Sequence, residues 1–139
     1  MVVNIGTDIV EIARMTDILE RQSDSFAKRV LTSNELQRYQ ASQNKAAYLA
    51  KRFAAKEAIA KALGTGIGHG VSFQDMNIIN NAKGAPEVVL SGGAARVMAE
   101  QGAHKVLLSL APLIISLQTC PLHSQLKQFP GEMLYRKEK

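Results

Sequence analysis

The chain has 139 residues, of which 46% are hydrophobic, so it is long and apolar enough to bury a core as one domain and is excluded from the disordered class. A net charge of +5 draws anionic partners: nucleic acid, anionic lipid, phosphorylated molecules or an acidic protein. Only 5% of residues are aromatic and none is Trp, which argues against a base-stacking surface for single-stranded nucleic acid. No run of about 18 apolar residues offers a membrane span. The first residues, MVVNIGTDIV, lack the basic start of a signal peptide. The single cysteine, Cys120, cannot form an internal disulfide, which fits a cytoplasmic location.

In chain order, VVNIG (2–6) reads as a short strand. Thr7 or Asp8 then opens a turn or caps a helix, IVEIARMTDILER, in which Ile9, Ile12, Met15 and Leu19 recur at helical spacing. Ser23 to Ser25 break that pattern, and FAKRVL follows as a short apolar and basic segment. Thr32 and Glu35 stand in capping-box register before a brief helix, ELQRYQAS. A central helix is expected from about Asn44 to Leu63. It carries eight alanines between Ala46 and Ala62, so its helix propensity is high and neighbours can approach closely. Gly64, Gly66, Gly68 and Gly70 end it.

VSFQDMNIINN reads as a strand, Asn81 to Gly84 as a hairpin turn, and EVVL as a second strand. Ser91 starts a helix that runs through Glu100 to Gly102, and KVLLSLA is a further strand. From Pro112 onward, LIISLQTC (113–120) has the length and apolarity of a strand, and the residues from Pro121 to Lys139 read as a loose polar tail. The layout is α+β in one domain.

The charged residues of the central helix carry the chemistry. Arg52 and Lys56 are four apart and share one face; Glu57 and Lys61 are four apart and share another. Glu57 and Lys61 make either an ordinary surface ion pair or part of a site for a phosphorylated ligand and a metal. Asp8 is either a helix cap or a carboxylate at a strand end. Two hard carboxylates, Asp8 and Glu57, suit Mg²⁺, which takes one or two carboxylates with phosphate oxygens and water. Gly64, Thr65 and Gly66 could bring backbone amides to a phosphate, although a helix C-terminus is the wrong dipole end for an anion. His69, His104 and His123 show no metal-ligand spacing. Arg21, Lys28 and Arg29 form a solvated face or, with Arg14, a basic patch for an acidic partner.

Two blocks, IGTDIVEIAR (5–14) and RFAAKEAIAKALGTGIG (52–68), resemble the signatures of holo-[acyl-carrier-protein] synthase, the small single-domain class of 4′-phosphopantetheinyl transferases. FAKRVLTSNEL and VSFQDMNIINNAKGAPEV continue the resemblance, which covers residues 1–111. It implies a long Ala-rich helix packed on a mainly antiparallel sheet. It also implies transfer of the 4′-phosphopantetheine arm of coenzyme A to a serine of apo acyl carrier protein, with Mg²⁺, in fatty acid biosynthesis. On this resemblance Asp8 and Glu57 match metal ligands, and Lys56 and Lys61 match catalytic-region lysines. With the reaction so implied, Glu57 is the catalytic candidate to accept the serine proton, directly or through a metal-bound water, and Lys61 to stabilise the departing bisphosphate. Arg52, Phe53, Lys56, Lys61, Gly64, Thr65 and Gly66 match positions lining the coenzyme site. Arg14 matches a first-helix base that docks the carrier protein, and Arg21, from the basic patch read above, would join it. The family assembles as homotrimers with sites between subunits.

Residues 112–139 depart from the family pattern, as a frameshift or a divergent terminus would each produce. That departure leaves a coenzyme A or carrier-protein binding module without turnover as an alternative. A basic nucleic-acid-binding protein is a second alternative, but it explains neither Asp8 nor Glu57.

Overall fold

A computed structural model describes residues 2–110, 113–119, 124–129 and 132–137, with side-chain surroundings for residues 12–110 and 115–118. The helices are α1 (Val2–Gln22), α2 (Ser25–Val30), α3 (Ser33–Ala41), α4 (Lys45–Leu63) and α5 (Gly92–Glu100). A 3₁₀ turn at Phe73–Asp75 precedes β1 (Met76–Asn80) and β2 (Pro86–Leu90). After α5 come β3 (Ala103–Leu110), β4 (Leu113–Thr119), β5 (Ser124–Phe129) and β6 (Glu132–Lys137). The described strands form three antiparallel pairs, β1–β2, β3–β4 and β5–β6. This is the expected α+β class.

Helix α4 organises the fold. Asn44 caps its start by accepting from the Ala47 amide at 3.1 Å. Gly64 ends it at φ 85°, in the left-handed region. A Cβ placed on Gly64 would meet nothing within 4 Å, so conformation rather than space demands glycine there. The two halves of α4 face different partners. Leu49, Ala50 and Phe53 cluster with Met15, Ala27, Val30, Leu31 and Tyr39 from α1–α3. Ala55, Ala58, Ile59, Ala60 and Leu63 cluster with Met76, Ile78, Ala94, Val106, Ile115 and Leu117 from the strands and α5. The alanines allow close approach, and each large side chain buried here contributes about 1.5–3 kcal/mol.

The glycine loop after α4 is anchored on α5. A Cβ on Gly93 would lie 1.7 Å from the Gly70 carbonyl oxygen, so only glycine permits this approach. The Asp75 carboxylate accepts from the Ser72 amide and from the Ala94 amide in the first turn of α5, both at 3.2 Å.

Three expectations change. Residues 2–6, expected as a strand, are the first part of α1, and Asp8 lies inside that helix rather than at a strand end or a cap. The described strands all pair in hairpins with each other. The segment therefore closes its backbone bonds within a helix, carrying Gly6 in its interior at a cost of about 1 kcal/mol. Residues 71–75 are a bridge and a 3₁₀ turn rather than strand, because Asp75 turns the chain by bonding back to Ser72. The expected loose tail holds an antiparallel pair, Ser124–Phe129 with Glu132–Lys137. LIISLQT forms β4, as its apolar run implies.

Candidate functional site

On α4 the two four-residue spacings separate by face. Glu57 and Lys61 are exposed, one turn apart, just before the glycine loop. Arg52 and Lys56 are buried. One helical residue is a rotation of about 100°, so Lys56 and Glu57, adjacent in sequence, look into the fold and out of it.

Lys56 is fully buried with its Nζ against three acceptors: Glu35 Oε1 at 2.6 Å, the Val30 carbonyl at 2.7 Å and the Phe73 carbonyl at 3.1 Å. An ammonium has three protons to give, and all three are used inside the fold. Burial lowers its pKa from the ordinary lysine value, and the Glu35 carboxylate pulls it back up. Lys56, expected to line the coenzyme site, has its ammonium turned to Glu35 and two backbone carbonyls, where it holds elements together.

Arg52 differs. It is 6% exposed, with its guanidinium 4.8 Å from the Tyr48 ring centroid. Arg52 Nε and the Tyr48 hydroxyl are buried with no hydrogen-bond partner among the described residues. Burial raises the Tyr48 pKa, against the opposing pull of Arg52. A buried cation with an unmet N–H suits an anion reaching it from outside.

Phe53 is almost wholly buried, in a row with Phe26 (5.7 Å between centroids) and Phe73 (5.5 Å), and the Arg14 guanidinium lies 5.3 Å from its ring centroid. Arg14 is thus seated on the aromatic row at the α1–α4 contact. Arg21 pairs with Asp17 at 3.0 Å on the exposed face of α1. Asp8 lies within α1, seven residues before Met15.

The loop residues expected at the coenzyme site have backbone partners of their own. The Gly64 amide donates to the Lys61 carbonyl at 2.9 Å, and those of Thr65 and Gly66 to Ala60 at 3.2 and 3.1 Å. These three amides satisfy the last carbonyls of α4. The Thr65 hydroxyl donates to the Gly66 carbonyl at 2.8 Å and keeps acceptor capacity only.

Among the described residues no group of three or more His, Cys, Asp or Glu could cage a metal ion. Glu57 offers an exposed oxygen donor, and Mg²⁺ needs only one or two such carboxylates when substrate oxygens and water complete its shell. The donor set fits that ion and not zinc. Sequence reading missed the partner of Lys56. Glu35 is read there as a cap residue, and nothing local signals that its carboxylate also meets a lysine 21 positions later. No described helix is long and apolar enough to cross a membrane.

The 4′-phosphopantetheinyl transferase superfamily model matches residues 4–117. The holo-[acyl-carrier-protein] synthase of Shewanella piezotolerans is 56% identical over 117 residues, covering 80% of this chain and 89% of that protein. Among solved structures, the holo-[acyl-carrier-protein] synthase of Neisseria meningitidis is similar with a TM-score of 0.65 and 41% identity, over 71% of this chain and 79% of that one. The Helicobacter pylori synthase in complex with coenzyme A is similar with a TM-score of 0.60 and 26% identity, over 87% of this chain and 86% of that one.

Proposed function

Because the chain belongs to the holo-[acyl-carrier-protein] synthase family of 4′-phosphopantetheinyl transferases, we propose that it moves the phosphopantetheine arm of coenzyme A onto a serine of apo acyl carrier protein. The observation that carries this reading is the face of α4 that presents Glu57 and Lys61 together beside the glycine loop.

The serine oxygen attacks the β-phosphorus of the coenzyme pyrophosphate. A new phosphodiester forms, the bond from that phosphorus to the bridging oxygen breaks, and adenosine 3′,5′-bisphosphate departs. Glu57 accepts the serine proton, as an exposed carboxylate within reach of an incoming partner. Lys61 supports the charge growing on the leaving bisphosphate. Arg52, with its unmet Nε, takes a further phosphate oxygen at the buried side. Phe53 shapes the wall from within the aromatic row, and Gly64–Gly66 set where the loop leaves the helix. Glu57 and Asp8 would hold Mg²⁺, which supplies charge neutralisation of the pyrophosphate.

Arg14 and Arg21 on α1 serve an acidic carrier protein, and the net charge of +5 steers it in. The proposal includes a homotrimer with sites between subunits, a cytoplasmic location and a role in fatty acid biosynthesis.

The test is incubation with apo acyl carrier protein, coenzyme A and Mg²⁺, followed by intact mass. The expected result is a gain of one phosphopantetheine on the carrier. Folded protein that binds coenzyme A without transfer would select the binding-module reading instead.

A further inference from the structure

The deepest charged feature of the chain is a pair that the transfer step does not use. Lys56 and Glu35 are both fully buried and meet at 2.6 Å. The Glu35 carboxylate also accepts from the Thr32 amide at 2.9 Å through Oε1 and from the Ile78 amide at 2.7 Å through Oε2. The ammonium bonds the last residue of α2, Val30, and the first residue of the 3₁₀ turn, Phe73. One ion pair therefore joins α2, α3, α4, the 3₁₀ turn and β1.

Two of those anchors bear on the proposed site. Lys56 immediately precedes Glu57, so fixing the inward direction of one fixes the outward direction of the other, about 100° around the helix. Phe73 lies just after the glycine loop, and its ring packs 5.5 Å from Phe53 while its carbonyl receives the Lys56 proton. The pair thus sets both the rotation of α4 and the point to which the loop returns. Burying two charges is a poor way to gain stability, since apolar residues of like volume often serve as well. Directional hydrogen bonds to five elements do what apolar packing does not: they permit one rotation of the helix.

Resting on the transferase reading above, we propose that Glu35 and Lys56 are a positioning pair for Glu57, and that Lys56 takes no phosphate of the coenzyme. Displacing a reacting group by about 1 Å can cost on the order of 100-fold in rate, so this rotation is worth holding.

The first test uses the full-length wild-type protein and the ammonium ¹H–¹⁵N resonances of its lysines, with Lys56→Arg for assignment. A Lys56 ammonium protected from exchange is expected, unmoved when coenzyme A saturates the protein, while the Lys61 signal shifts. A Lys56 signal that shifts with Lys61, or one showing no protection, overturns the proposal. If coenzyme A moves no resonance at all, the transferase reading fails, and the pair's role in it falls too.

The second test is kinetic. Glu35→Gln keeps the side-chain shape but turns one acceptor into a donor facing an amide. It should lower kcat about tenfold or more while KM for coenzyme A changes less than about threefold, as loss of alignment predicts. Folded Glu35→Gln with unchanged kcat, or with the loss confined to KM, overturns the proposal. If that variant does not fold, the resonance experiment decides alone.

Discussion

Two lysines of α4, five residues apart, have opposite surroundings. Lys56 is fully buried, with Glu35 and two backbone carbonyls around its ammonium. Lys61 is exposed beside the glycine loop, on the same face as Glu57. Both sit in one run of alternating alanines and charges, and composition gives no reason to separate them. What separates them is direction: five residues turn the helix so that the two side chains look about 140° apart. Lys56 looks toward the end of α2, α3 and the 3₁₀ turn, where its side chain reaches two carbonyls and a carboxylate. Lys61 and Glu57 lie on the exposed side. The inner lysine orders the framework, and the outer acid and base lie on the exposed surface where a substrate arrives.

The sharpest way to break this comparison is to remove Glu57. Glu57→Ala should lower turnover by about 10²–10⁴-fold, the usual range for a general base, as measured by intact mass of the carrier protein. Its thermal midpoint should stay near wild type, because the side chain is exposed. Activity within a few-fold of wild type would remove Glu57 from the chemistry.

Lys56→Met should do the reverse in kind, acting first on stability. Removing one partner of a buried pair costs about 3–5 kcal/mol, because the other charge is stranded. Adding Glu35→Leu should recover only part of that loss in denaturant unfolding, because it removes the stranded charge but also the acceptor of the Thr32 and Ile78 amides. If Lys56→Met alone were as stable as wild type, the buried pair would not be the framework element described above.

How much of this was legible beforehand depends on range. The cap register of Thr32 and Glu35 is local and was read correctly: Thr32 accepts from the Glu35 amide, and Glu35 bonds back to the Thr32 amide. The limits of α4 were also readable, since Asn44 and Gly64 are end signals within one turn. The second use of Glu35 was not, because its contacts with Lys56 and Ile78 lie 21 and 43 residues away. Spacing placed Arg52 and Lys56 together, but could not show that both turn inward. The glycine loop is ambiguous in sequence for a related reason. Glycines that free amides for a ligand and glycines that close a helix end look alike in sequence, and here the amides of 64–66 close the helix. VVNIG misled because a short β-branched run reads as strand wherever a partner strand is available, and no described strand pairs with it.

A pH titration sharpens the same contrast within the helical half. The buried Tyr39 hydroxyl donates to Asp24 at 3.0 Å, and burial together with that carboxylate pushes its pKa up to about 12 from 10.0. A raised folded pKa means the native state holds this proton more tightly. The stabilisation is fully present below pH 10 and is lost as pH rises toward 12. At about 1.4 kcal/mol per unit, the effect is on the order of 2–3 kcal/mol. Tyr39→Phe should flatten the fall in stability over that window, as followed by denaturant unfolding at stepped pH. An identical fall in the variant would assign the alkaline loss to other groups.

The smallest effect expected is on the exposed face of α1. Arg21 and Asp17 form a surface pair in which both side chains are more than half exposed, worth at most about 0.5 kcal/mol. Arg21→Ala should therefore leave the thermal midpoint almost unchanged. If Arg21 helps dock an acidic carrier protein, the variant should raise KM for that protein about two- to fivefold at low salt, with kcat and the KM for coenzyme A unaffected. The difference from wild type should shrink as salt rises, because screening shortens the reach of surface charge to about 10 Å at 0.1 M. A KM that does not respond to Arg21→Ala at any salt concentration would make the Arg21–Asp17 pair a solvated face and leave carrier docking to Arg14, which is seated on the Phe53 ring where α1 meets α4.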